Sequence, residues 1–187
     1  MSRIELIDPK QTDETREALL QGIERKLGRV PNMMRGMAQS PAALNIYLTM
    51  GNLLDGGVLT AQQREQIALR TAELNGCHYC LGAHCAIGKM VGLNEDTLRE
   101  SRKGNAEDAE TAAMLELVEA IITTRGEVRD ETLDRVRAAG LDDQTVTEVL
   151  AAVVLNIFTN YFNQLADTPM DFPVAEPLAA DACGCQV

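Results

Sequence analysis

Tryptophan is absent from the chain, phenylalanine and tyrosine number three each, and histidine two. No Lys/Arg-rich run occurs and the formal net charge is -11 at pH 7. The basic surface and stacking aromatics by which proteins hold nucleic acid are therefore missing, and an acidic surface is poorly suited to anionic membranes. No window of about 18 uninterrupted apolar residues exists, and the N-terminal MSRIELIDPKQTDE lacks the apolar core of a secretory signal. These absences predict a soluble, cytoplasmic protein with no nucleic-acid or membrane partner. Strand-like alternation is missing too, whereas helical spacing recurs from end to end, so the expected fold class is all-α.

What is present is a chain of 187 residues with five cysteines. That length buries a core without covalent staples. In a reducing cytosol the cysteines point to catalysis, redox cycling or metal binding rather than permanent bridges. Helix punctuation divides the chain into about seven to nine helices. Thr12 and Asp13 can cap a first helix that Gly28 stops, and Pro31 marks a break. Ser40-Pro41 opens a second helix that runs to Gly56-Gly57. Thr60-x-x-Gln63 reads as a capping box for AQQREQIALRTAEL, which Asn75-Gly76 terminates. Further helices are expected from Cys77 to Val91, after Asn94, over 106–125, up to Gly140, and from Asp142 or Asp143 onward, the last being the most apolar. Residues 1–167 thus form one helical domain, and residues 168–187, rich in Pro, Ala and acidic side chains, form an extended arm ending in Cys183-Gly-Cys185.

The chemistry concentrates in ELNGCHYCLGAHCAIG, Glu73 to Gly88. With Cys77 at zero on a helical wheel, Cys80 falls near about -60° and His84 near about -20°, while Cys85 and His78 turn to about +80° and +100°. Cys77, Cys80 and His84 therefore share a face. Both thiols follow a glycine-bearing break, where free N–H groups and the helix dipole favour a thiolate. If the helices on either side of Asn75-Gly76 fold back antiparallel, Glu65 comes within about one turn of His84. Carboxylate, imidazole and two thiols can then form a relay: Glu65 orients His84, His84 deprotonates one thiol, and the second thiol resolves the product. Tyr79 is a candidate for a substrate wall.

Glu65, an 11-residue gap, Cys77-x-x-Cys80 and then His84 resemble the signature of AhpD-like alkylhydroperoxidases in the carboxymuconolactone decarboxylase family. VPNMMRGMAQSPAAL upstream and the DFP of the tail are similar to its peroxidase-related branch. The resemblance spans roughly residues 30–175, with its core at about 41–125. It implies an all-α fold, trimers or hexamers, no bound cofactor, and reduction of small hydroperoxides at the expense of an external dithiol. It also implies that Cys80 is the peroxidatic thiol, Cys77 the resolving one, and His84 with Glu65 the proton relay. Tyr79 stands where the best-known AhpD has histidine.

Other possibilities stay open at this level. The cysteines can be small packing residues. Cys77, Cys80 and His84 can provide three zinc ligands, with a fourth from the terminal dithiol. Carboxymuconolactone decarboxylation and non-enzymatic redox sensing are the remaining alternatives.

Overall fold

The computed structural model describes residues 2–178, so Cys183 and Cys185 lie outside the described residues. Among those residues there are nine helices and no strands: α1 Glu14–Leu27, α2 Asn32–Met37, α3 Pro41–Asp55, α4 Ala61–Leu74, α5 His78–Met90, α6 Glu95–Lys103, α7 Ala109–Thr124, α8 Asp130–Ala138 and α9 Asp143–Ala166. Most boundaries follow from local hydrogen-bond chemistry. Asp13 accepts from the N–H groups of Thr15 and Arg16, and Ser40 accepts from Ala43 with Pro41 in the first turn. Thr60 and Gln63 form the reciprocal capping box, and Asn94, Asp108 and Asp142 each cap their helix with a side-chain oxygen.

Two boundaries differ from the sequence expectation. The helix expected over 106–125 starts only at Ala109, because the Asp108 carboxylate takes the Thr111 N–H and fixes the start there; that bond also holds the Asp108 carboxyl below its ordinary range. Pro31 is not merely a break, since the short α2 begins directly after it. Pro31 offers no side-chain cap to α2, and the caps come from elsewhere in the chain. The Asn32 N–H donates to Asp171 Oδ2 at 2.9 Å, and the Met33 N–H donates to the Tyr79 hydroxyl at 3.2 Å.

Helix α4 is the hub, packing against α5, α6, α7 and α9. One apolar cluster gathers Leu20, Met37, Leu44 and Leu69 with Cys77, Tyr79 and Cys80; a second gathers Ile67, Leu115, Val118, Val136 and Val149. Helix α9 is long and apolar enough to cross a membrane by length and composition. Its packing against α2, α3, α4, α5 and α7 is that of a domain helix. One face buries Val149, Val153, Asn156, Asn160 and Asn163, while Leu150, Val154, Tyr161 and Leu165 point outward.

Over residues 168–178 the chain is extended and lies back on the body. Asp171 accepts from Tyr79 Oη at 2.7 Å and from Arg29 at 3.3 Å. Phe172 meets Tyr79 edge to face, and the Arg29 guanidinium lies over the Phe172 ring at 4.2 Å from its centroid. Arg102, itself paired with Glu73, donates to the Glu176 carbonyl at 2.7 Å. The arm comes close enough to α5 that a Cβ on Gly82 would sit 2.6 Å from the Pro173 carbonyl oxygen. Only glycine permits that approach.

Candidate active site

The bend at Asn75-Gly76 builds the site. Asn75 ends α4, Gly76 takes the left-handed conformation at φ 65°, and Cys77 becomes the N-cap of α5. Its backbone, at φ -86° and ψ 91°, is outside the helix, so the wheel position assigned to it from sequence does not apply. The Cys77 sulfur instead lies over the open end of α5 and accepts the Cys80 N–H at 3.3 Å. Cys77 and Cys80 are joined by a disulfide. Both are 2% exposed.

The same bend folds α5 back along α4. Glu65 meets His84, with Oε2 at 2.8 Å from Nδ1. A carboxylate oxygen only accepts, so the Nδ1 hydrogen points to Glu65, and Nε2 is the nitrogen left to exchange a proton. His84 follows Cys80 by one helical turn, a spacing that brings side chains together on one face. The structure thus brings Glu65 to His84 on the turn after the bonded pair Cys77 and Cys80. Tyr79 is placed differently: its ring is buried and its hydroxyl is committed to Asp171 and Met33. Burial pushes that hydroxyl's pKa well above the ordinary tyrosine value. His78 is exposed, and Cys85 is a half-buried free thiol whose pKa burial raises.

Two residues near the relay had no part in the sequence expectation. Tyr47 of α3 packs against the same cluster, and burial together with the negative charge of Glu65 pushes its hydroxyl up to about 12. It keeps its proton at neutral pH. Asn163 of α9 donates through Nδ2 to Cys80 Sγ at 3.3 Å. A signal for Asn163 did exist: Asn156, Asn160 and Asn163 form a polar stripe at helical spacing inside the most apolar segment. A buried stripe of amides needs partners.

Among the described residues no group of three or more His, Cys, Asp or Glu side chains is arranged to hold a metal ion. A surface cleft of about 460 Å³ lies between α4, α6 and the start of α7, lined by Gln66, Asp96, Glu100 and Asp108 among others, and none of the thiol-site residues borders it.

Among the described residues, fold and site define an all-helical dithiol–disulfide protein whose sulfur-bearing helix α5 also carries an imidazole, His84, paired with the Glu65 carboxylate of α4. Residues 41–123 match the carboxymuconolactone decarboxylase family. Over that segment the chain is similar to the family, and its fold is that of AhpD-like structures. The alkylhydroperoxidase AhpD core of an uncharacterized peroxidase-related protein from Ralstonia eutropha JMP134 superposes with a TM-score of 0.82 at 20% identity, covering 91% of this chain and 92% of that one. The debrominase Bmp8 has the same fold, with a TM-score of 0.76 at 17% identity over 90% of this chain and 92% of its own. An uncharacterized protein of Bacillus subtilis (strain 168), YdfG, is 28% identical over 121 residues, 63% of this chain and 82% of YdfG.

Proposed function

We propose that the protein is a thiol-dependent peroxidase of the alkylhydroperoxidase type, reducing small hydroperoxides through Cys77 and Cys80. The observation that carries this reading is the Glu65–His84 contact at 2.8 Å on the helix turn after the cysteine pair. Packing alone asks for no such relay, and a decarboxylase has no use for a dithiol. Cys80 thiolate attacks the terminal oxygen of the hydroperoxide and the O–O bond breaks. The departing alkoxide takes a proton relayed through His84, and the sulfur keeps the hydroxyl as a sulfenic acid. Cys77 then displaces that hydroxyl as water and closes the disulfide. An external dithiol, itself oxidised, returns both thiols. No bound cofactor enters this cycle, which fits the reducing cytoplasm.

The test supplies reduced protein with hydrogen peroxide or an alkyl hydroperoxide and excess dithiothreitol. Many equivalents of alcohol or water formed per chain are expected. One equivalent and no more would make the protein a redox sensor. No reaction, with turnover of a carboxymuconolactone or a brominated pyrrole instead, would replace the peroxidase reading with one of the activities that share this fold.

The outward face of α9 bears on assembly. Leu150, Val154, Tyr161 and Leu165 form a stripe along it, and Ile46 and Leu53 stand exposed on the neighbouring α3. Leu165 is 67% and Leu53 72% exposed, more than isolated apolar residues on a monomer require. We assign this face to contacts between copies of the chain in a trimer or hexamer. Light scattering on Leu53→Glu/Leu165→Glu is expected to give a monomer with unchanged helicity. An oligomer that survives the double substitution would place the contacts elsewhere.

A further inference from the structure

The peroxidase reading leaves open what holds the Cys80 sulfur. The N–H at the open end of α5 that reaches a sulfur goes to Cys77, not to Cys80. The donor to Cys80 comes from the far end of the sequence: Asn163 Nδ2, 83 residues away and buried, at 3.3 Å from Sγ. Asn163 is 4% exposed, and its other amide atom, Oδ1, is buried without a hydrogen-bond partner among the described residues. Buried side-chain acceptors are nearly always paired in folded proteins. An unpaired one on the same amide that touches a reactive sulfur marks where an O–H donor belongs.

We propose that Asn163 positions both reactants: its N–H holds the Cys80 thiolate, and its Oδ1 receives the terminal O–H of the hydroperoxide. This inference rests on the peroxidase reading of the same site. A thiolate is a far stronger acceptor than a disulfide sulfur, so the contact already present in the oxidised protein tightens on reduction. In a planar amide Oδ1 lies roughly 2.2 Å from Nδ2 and so within about 5.5 Å of the sulfur. One hydrogen bond of about 2.8 Å and one sulfur–oxygen approach of about 3.3 Å span that distance. The oxygen bridging them is the one that carries the hydrogen, which is the oxygen a thiolate must attack. The O–O bond then breaks, oxygen and hydrogen pass together to sulfur, and the alkoxide leaves with the electron pair and is protonated through His84. Oδ1 keeps the hydrogen bond throughout, now to the sulfenic acid.

The amide is held in place for this role. Asn75 at the α4–α5 bend donates to Asn160 Oδ1 at 2.9 Å, one turn before Asn163, and the Thr168 N–H caps the Asn163 carbonyl at 3.1 Å. The titratable groups around the thiol pair include His84 on α5 with its partner Glu65 on α4, Tyr47 on α3, and Tyr79 beside Cys80 with its partner Asp171, and a change at Asn163 replaces none of them.

The test uses the full chain with Cys77→Ser and Cys85→Ser as background, so that among the described residues only Cys80 alkylates, followed by mass spectrometry as a function of pH. Asn163→Leu is expected to raise the Cys80 alkylation midpoint by about one pH unit. In the otherwise intact chain it lowers kcat/KM for hydroperoxide about 30-fold. Asn163→Asp, which keeps the size and an acceptor but loses the donor, is expected to raise the midpoint at least as far and carries the test if Asn163→Leu does not fold. A midpoint and kcat/KM within twofold of the parent in either folded variant would overturn the assignment while leaving the peroxidase reading intact. If instead the parent turns over no peroxide, that reading fails, and a raised midpoint would still show that Asn163 holds the thiolate.

Discussion

Cys80→Ser is expected to remove peroxide turnover altogether, with kcat/KM falling on the order of 10⁴-fold or more, to the background of the assay, as for other catalytic nucleophiles. The substitution is nearly isosteric in a site where Cys80 is 2% exposed, so helicity and thermal midpoint of the reduced protein are expected to stay close to those of the parent. What changes is chemistry: a serine hydroxyl has no accessible anion near neutral pH, and no disulfide can close onto Cys77. Cys77→Ser separates the two thiols. It is expected to consume one equivalent of peroxide rapidly, leave a Cys80 sulfenic acid that a dimedone adduct reports by mass, and then stall. The same pair of variants tests the converse assignment, since the α5 N-terminal hydrogen bond goes to the Cys77 sulfur. A single rapid turnover in Cys80→Ser, with none in Cys77→Ser, would exchange the two roles and remove the purpose given to Asn163.

Glu65→Gln is the second large effect, expected to lower kcat about 10²-fold with KM changed little. The Glu65 carboxylate fixes the His84 hydrogen on Nδ1 at 2.8 Å. A glutamine can present its NH₂ to that nitrogen instead, turning the imidazole into the other tautomer and withdrawing Nε2 as an acceptor. His84→Gln removes the relay itself and is expected to cost about 10²- to 10⁴-fold, the usual span of general acid–base catalysis. Because the pair acts as a unit, the double variant is expected to be no slower than His84→Gln alone. Additive losses in pre-steady-state measurements would mean that Glu65 and His84 serve different steps. The first chemical step in Glu65→Gln should also lose its solvent isotope dependence if proton transfer no longer passes through the imidazole.

Much of this was written locally in the chain. Thr60 with Gln63, Ser40 with Pro41, and Asp142 each satisfy donors within three residues, so the helix starts they set could be read without knowing the fold. The meeting of Glu65 and His84 was legible because one short bend, Asn75-Gly76, decides it. The missing parts depend on long-range partners. Helix α2 has no cap of its own and borrows Asp171 across 139 residues. Tyr79 looked free to border a substrate, yet its hydroxyl is taken by a carboxylate 92 residues on. Asn163 is one of three similar amides on α9, and nothing nearby in sequence distinguishes the one that reaches Cys80. Composition and spacing name such residues as polar and buried; only the packing of α9 on α5 says which sulfur they serve.

The arm that returns from α9 has a consequence for the order of events during synthesis. Asp171 satisfies the start of α2, steadies Arg29, and holds Tyr79, the residue directly before Cys80. Until the ribosome has released that carboxylate, a growing chain already contains both thiols and the whole relay, but Tyr79 has no acid partner and Gly82 no carbonyl packed over it. The thiol helix is therefore completed by a residue made 92 positions after Tyr79. A chain cut short after Ala166 would carry every proposed reactive group and still lack the carboxylate that Tyr79, Arg29 and the start of α2 share.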